Sequence, residues 1–169
     1  MADFRLIIEP LAKQHKRTDF DCGVPALNRY LAKQAGQDIK RSISRVFVAV
    51  SADCPETILG YYTLSSLSID LSELPESLVR KLPHHPIPAA LLGRLAISTQ
   101  VQGKGIGKLL LADALKRILA VSRELAIYAL VVDAIDEAAG QFYQHFGLMP
   151  LGAVEDNRWF LPLRSALTT

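Results

Sequence analysis

A mixed α/β sheet flanked by helices is the fold class this 169-residue chain predicts, and three observations predict it. Strand-like runs rich in Val, Ile, Tyr and Thr lie at Arg45–Ser51 and Ile58–Ile69, a glycine-rich strand-to-helix turn follows near residue 100, and strand and helix signals alternate after it. Half of the residues are hydrophobic and the mean hydropathy is +0.20, which supplies a core and excludes disorder. No repeat, low-complexity tract or linker interrupts the chain, so one domain over 1–169 is expected.

The elements follow in order. Phe4 to Glu9 reads as a short strand. From Val24 to about Arg41, Leu27, Tyr30, Leu31 and Ala35 recur at helical spacing and give an amphipathic helix after the turn at Asp21-Cys22-Gly23. Arg45–Ser51 and Ile58–Ile69 carry strand composition and open an antiparallel meander. Asp70 to Pro88, with four prolines, is the longest irregular stretch and reads as an insertion. Ala89–Ser98 is apolar enough for a central strand, and the helix after the glycine turn runs to about Ser122. Its two parallel i, i+4 rows, Leu110-Ala114-Ile118 and Leu111-Leu115-Leu119, make one broad apolar face. Ile127–Val132 reads as a buried strand. Asp136 can cap a short helix that ends at Gly147, and Trp159–Leu163 is the last strand. In that short helix Phe142 and Phe146 pair at i, i+4; with both facing the core, Tyr143 lies at the edge of the face.

Composition narrows the function classes. Cys22 and Cys54 form no paired spacing, so neither a disulfide framework nor a zinc knuckle is indicated, and a reduced cytoplasmic setting is expected. No apolar run approaches the length of a signal segment or a membrane span. His15, His84, His85 and His145 lack metal-ligand spacing, so no metal is expected. The net charge of +2 conceals an asymmetry: residues 1–45 hold nine Lys/Arg against five Asp/Glu, and 46–169 hold ten against twelve. On the helical wheel Arg29, Lys33 and Lys40 fall within about 40° of one another, opposite Leu27, Tyr30 and Leu31, with Arg41 and Arg45 close behind. A solvated polar face is the ordinary fate of such a stripe; a polyanion would be its functional use.

The glycine turn carries the chemistry. Gly103, Gly105 and Gly107 stand at alternate positions directly before a helix, where backbone N–H groups and the helix dipole can converge on an anion. The spacing is neither that of a P-loop, since Gln102 stands five before Gly107 and Leu109 follows Lys108, nor the G-x-G-x-x-G of a dinucleotide turn. A glycine-rich cap without a ligand is the alternative.

Gln102-x-x-Gly105-x-Gly107 resembles the pyrophosphate loop of the GNAT superfamily of acyl-CoA N-acetyltransferases, and Phe142-Tyr143-Gln144-His145-Phe146-Gly147 resembles its Phe-Tyr-x-x-Phe-Gly helix end. The resemblance implies the GNAT fold and acetyl-CoA as co-substrate. Its binding is assigned to the strand Leu95, Ala96 and Ile97 and to the loop Gln102, Gly103, Lys104, Gly105, Ile106, Gly107 and Lys108. It also implies Tyr143 as the general acid that protonates the departing sulfur. Direct attack of an amine needs no covalent enzyme intermediate, and a backbone N–H of Leu95–Ile97 would hold the oxyanion.

A longer series resembles one branch, the TacT/AtaT-like GNAT toxins of toxin–antitoxin modules: Phe20-Asp21-Cys22-Gly23 with Leu27-Asn28, Ser44-Arg45-Val46-Phe47-Val48, Gly60-Tyr61-Tyr62-Thr63-Leu64, and Pro86-Ile87-Pro88 leading to Leu92-Gly93-Arg94-Leu95-Ala96. This branch implies acetylation of the α-amine of aminoacyl-tRNA, a block on translation and neutralisation by a ribbon-helix-helix antitoxin. It also implies a homodimer, for which Tyr61, Tyr62 and Trp159 are interface candidates. With a tRNA substrate, Arg29, Lys33, Lys40, Arg41, Arg45 and Arg94 become phosphate contacts. An α-amine with a pKa near 7.7–8.0 is neutral in roughly one molecule in ten at pH 7, against about one in 2,500 for a lysine side chain. That suits a strand with no carboxylate in it, although Asp133 remains open as a relay through water. A small-molecule amine or a protein N-terminus is the alternative substrate, and a CoA-binding module without transfer activity is the alternative outside enzymes.

Overall fold

The computed structural model describes residues 5–167, so Phe4 of the expected first strand lies outside the described residues. Seven strands form one mixed sheet in the order β1 (Leu6–Pro10), β2 (Arg45–Ser51), β3 (Gly60–Ile69), β4 (Ile87–Ile97), β5 (Ala129–Asp133), β7 (Arg158–Pro162) and β6 (Met149–Pro150). The first three strands pair antiparallel, β4 and β5 pair parallel, and β7 pairs antiparallel with both β5 and β6. Every expected element is present. Two small ones were not anticipated: β6 is only two residues long, and a last helix, α6 (Leu163–Leu167), follows directly on β7. Inside the insertion lie a single 3-10 turn, Leu71–Glu73, closed by a capping box with Asp70, and a one-turn helix, α3 (Glu76–Val79).

The chain divides into two compact units. One comprises the described residues up to Ser65 with Arg94–Leu115. Its helical arm runs through α1 (Pro25–Arg29), a π turn at Tyr30–Gln34 and α2 (Ala35–Lys40). In the π turn Ala35 N–H bonds to the carbonyl of Tyr30, so one extra residue enters the helix. Pro25 suits the first helical position because its missing N–H has no acceptor there anyway. Leu27, Tyr30, Leu31 and Ala35 are buried against Val46, Val48, Val50, Tyr61 and Ala96. The fourth helix, α4 (Ile106–Val121), begins in this unit and buries Ile106, Leu110, Leu111 and Ala114.

The other unit comprises Ser66–Gly93 and the described residues from Lys116 on. Ile69, Leu74, Ile87, Ala89, Ala129, Val131, Leu151 and Phe160 form its core. Its main helix is α5 (Glu137–His145).

Two expectations are corrected here. Tyr61 and Tyr62 point to opposite faces of β3 and are both fully buried, so neither can serve an interface. Tyr61 donates to the Leu27 carbonyl at 2.7 Å, and Tyr62 donates to Asp113 at 2.6 Å while stacking on Phe47. The order of burial on α5 is also reversed: Tyr143 is 4% exposed, whereas Phe142 and Phe146 are only half-buried and pack edge to face on each other.

Candidate active site

The loop after β4 is set by side chains before its glycines come into play. Ser98 Oγ accepts from the N–H of Gln100 and caps a 3-10 turn at Thr99–Val101. Gln102 then turns its amide back, donating to the carbonyls of Ile97 at 3.0 Å and Cys22 at 3.1 Å. The Asp21–Gly23 turn is strapped in place as well: Cys22 N–H donates to Asn28 Oδ1 at 2.8 Å, and Thr99 N–H to the Asp21 carbonyl at 2.9 Å. Asp21 accepts from Gly23 N–H and from the Asn28 amide, which holds its carboxyl below the usual carboxylate range.

Gly103 and Gly105 have φ of +78° and +83°, where a side chain is strained, and the space a Cβ would take at either is empty. Backbone conformation, not packing, requires glycine there, and it leaves the loop backbone open to an approaching group. Leu109 N–H bonds to the Gly105 carbonyl, so the N–H groups of Ile106, Gly107 and Lys108 come before the first bond of the helix. Lys104 and Lys108 are exposed beside them. Converging amides, about half a unit of positive dipole charge and two lysines fit a diphosphate.

Leu95, Ala96 and Ile97 lie at the end of β4. The parallel ladder with β5 runs from Ala89↔Ala129 to Leu92↔Val132, and β4 continues past it to Ile97. Against β3 the strand fits closely: a Cβ on Gly60 would meet the Ala96 carbonyl oxygen at 2.9 Å. Glycine at 60 therefore fixes where the Ala96 peptide sits.

Asp136 caps α5 by accepting from Ala139 N–H at 2.8 Å. The helix ends in a Schellman turn, with Gly147 at φ +91° and the N–H groups of Gly147 and Leu148 bonded to the carbonyls of Gln144 and Tyr143. Gly140, one turn before Tyr143, is buried against the Trp159 indole. Burial, and next the charge of Asp133, push the Tyr143 phenol well above its ordinary pKa, so it keeps its proton at neutral pH. Asp133 itself is held by Arg158 through Nε at 2.7 Å and Nη2 at 3.2 Å. A carboxylate clamped this way is a poor candidate for a free base.

Arg29, Lys33 and Lys40 are exposed, as the wheel predicts, and so are Arg41 and Arg45. Arg94 stands apart from them. It is half-buried, and its guanidinium lies 3.6 Å over the Tyr30 ring. Tyr30 in turn donates to Asp38 at 2.8 Å, and burial with that bond raises its pKa to about 12. Sequence reasoning missed Arg17, whose guanidinium lies against Gly36; the spacing of 19 residues carries no periodic signal. His84, His85 and His145 are exposed and His15 is buried, and among the described residues no group of three His, Cys, Asp or Glu is placed to hold a metal.

Residues 42–147 match the acetyltransferase (GNAT) domain family, and with that loop, strand and helix end the chain belongs to the GNAT acetyltransferases. It is an acetyltransferase. Within the family it is similar to a tRNA-acetylating toxin of Mycobacterium tuberculosis, with 35% identity over 76% of this chain and 75% of the relative. It is also similar to a probable toxin TacT of Sinorhizobium fredii, with 32% identity over 93% and 91% of the two chains. Solved structures resemble it as well. A tyrosine-to-phenylalanine mutant of KacT superposes with a TM-score of 0.91, at 35% identity over 96% of this chain and 98% of that one. AtaT complexed with acetyl-methionyl-tRNAfMet gives 0.89, at 34% identity over 98% and 100%. A tyrosine-to-phenylalanine mutant of AtaT, bound to the C-terminus of the antitoxin AtaR and acetyl-CoA, gives 0.81, at 32% identity over 97% and 98%.

Proposed function

We propose that this chain transfers the acetyl group of acetyl-CoA to the α-amine of an aminoacyl-tRNA and acts as a translation-blocking toxin neutralised by a ribbon-helix-helix antitoxin. The observation that carries the reading is the open glycine loop at the head of α4, together with likeness to a tRNA-acetylating toxin and to a structure of AtaT complexed with acetyl-methionyl-tRNAfMet. Both described units are read as parts of one acetyltransferase domain, since the family match spans residues of each.

In this reading the amides from Ile97 and from Gln102 to Lys108 bind the pantetheine and diphosphate, and Lys104 and Lys108 neutralise phosphate charge. A backbone N–H of Leu95–Ile97 stabilises the oxygen that gains charge as the amine attacks. Tyr143, kept as a neutral phenol by its burial, delivers its proton to the sulfur as the C–S bond breaks, and the amine loses its own proton to solvent. Support for Tyr143 includes the substitution of a tyrosine by phenylalanine in KacT and AtaT structures. The exposed cations of α1 and α2 take the tRNA backbone. Action in the cytoplasm and a homodimer belong to the same proposal; the dimer would use a surface other than Tyr61 and Tyr62. Among the described residues no helix is long and apolar enough to cross a membrane.

Incubation with labelled acetyl-CoA and total charged tRNA tests the reading, with deacylated tRNA and polyamines as controls. Label is expected on charged tRNA alone. Label on polyamines alone overturns the substrate assignment.

A further inference from the structure

Gly36 is a place where the α2 surface has no side chain of its own, and another residue fills the gap. A Cβ at Gly36 would lie 3.1 Å from Arg17 Nη1. The guanidinium therefore rests on the helix backbone, reached from the turn after β1, where Nη2 also points at the Ala12 carbonyl at 3.5 Å. Lys33, in the π turn, and Lys40, the last residue of α2, stand three residues before and four after Gly36. Both are exposed, and Arg17 is half-buried.

Among the described residues no acid forms an ion pair with this trio. Asp38, the nearest carboxylate along the helix, accepts from the Tyr30 hydroxyl at 2.8 Å and the Gln34 amide at 3.1 Å. The ion pairs of His15 with Glu9 and of Arg158 with Asp133 involve none of the three cations. Unpaired cations of one sign spread along about two turns of helix repel each other in the free protein, and glycine is a poor helix former in that position. A polyanion reverses the sign of the repulsion.

We propose that Arg17, seated on Gly36 between Lys33 and Lys40, is a phosphate-binding residue for the tRNA backbone. It extends the cationic face from α1 and α2 to the turn after β1. The inference rests on the reading that aminoacyl-tRNA is the substrate. An arginine fits the role because its planar fork can engage two phosphate oxygens at once. The glycine seat limits how far that fork can wander.

Binding of total charged tRNA to the full chain, measured by fluorescence anisotropy over a salt series, tests this with Arg17→Ala and Gly36→Gln. The glutamine is a better helix former than glycine and fills the seat, so it should melt no lower than the parent while displacing the guanidinium. For each variant the slope of log affinity against log salt should fall by about 0.9, the value for one phosphate contact, and affinity at ~0.15 M salt should weaken about fivefold. Acetyl-CoA affinity, measured by calorimetry, should not change. Unchanged slopes in both variants, with salt-dependent tRNA binding by the parent, overturn the role of Arg17 alone. Weaker acetyl-CoA binding with an unchanged tRNA slope moves Arg17 to the phosphates of acetyl-CoA and also overturns it. A parent chain that binds tRNA without salt dependence removes the tRNA reading together with this one.

Discussion

At Tyr143 two effects act in one direction. Burial penalises the phenolate, and the carboxylate of Asp133 adds repulsion, so the proton is held far above neutral pH. The phenol is therefore in its donating form throughout the range in which an α-amine, with a pKa near 7.7–8.0, becomes a nucleophile. Turnover should rise as pH increases through that amine pKa and then stay level to about pH 9.5, because the tyrosine has not begun to ionise. A fall in kcat between pH 8 and 9 that Tyr143→Phe abolishes would contradict the direction of the shift. The Phe variant itself should bind acetyl-CoA with nearly unchanged affinity and lose roughly 10²- to 10⁴-fold in turnover, the usual worth of a general acid. Its neighbour Gly140 belongs to the same argument. An alanine there would meet the Trp159 indole at 3.1–3.4 Å, and the ring is anchored in β7, opposite Val132. Overpacking of about 1–3 kcal/mol should exceed the gain of about 1 kcal/mol in helix propensity, lowering the melting temperature by a few degrees. The same pair explains why burial on α5 was not legible in the sequence. The inward stripe is Gly140 and Tyr143, whose residue types carry little hydrophobic signal, while Phe142 and Phe146 cover each other at its side.

On the scale of elements, the glycine loop is positioned by a relay of hydrogen bonds and not by its glycines alone. Asn28 at the end of α1 accepts from Cys22 N–H, the Cys22 carbonyl accepts from Gln102, and Gln102 also donates to Ile97 at the end of β4. One helix, one loop and one strand are fixed to each other in three steps. Gln102→Ala removes two donors worth about 1 kcal/mol each and should weaken acetyl-CoA binding roughly tenfold in calorimetry. Asn28→Ala leaves the Cys22 N–H without its acceptor, and although Asn28 is assigned no contact with the co-substrate, the same measurement should show a loss of several-fold. Full affinity in Asn28→Ala would mean that the relay does not set the loop. The loop motif was legible through its resemblance to the GNAT pyrophosphate loop, and its flanking strand and helix through their composition and apolar spacing. Gln102 as a strut was not, since a glutamine side chain bonding 80 residues back in the chain leaves no local pattern. The π turn was equally hidden: the spacing of Leu27, Tyr30, Leu31 and Ala35 is compatible with an unbroken α-helix, and the extra residue shows only in the Ala35-to-Tyr30 bond.

For the whole molecule, charge is partitioned along the same division as the two compact units. The unit holding the glycine loop and the cationic helices has 12 Lys/Arg against 8 Asp/Glu, and the unit holding Tyr143 has 7 against 9. The overall +2 is thus the difference between a +4 and a −2 part, and an average over the chain understates the field a polyanion meets. The asymmetry was visible in the first 45 residues of the sequence; that Arg94, Lys104 and Lys108 fall in the same compact unit is a result of the fold. Two substrates should then respond differently to salt. If the exposed cations contact several phosphates of aminoacyl-tRNA, as proposed above, each contact adds about 0.9 to the salt slope, and the KM for that substrate should rise at least tenfold between about 50 and 200 mM salt. In the same proposal acetyl-CoA is held by backbone amides and two lysines at the loop, so its KM should change only a few-fold over the same range. Steady-state kinetics with each substrate varied in turn separates the two curves. Parallel curves would mean that the cationic helices face solvent and nothing else, and would leave the tRNA to be recognised by its aminoacyl end alone.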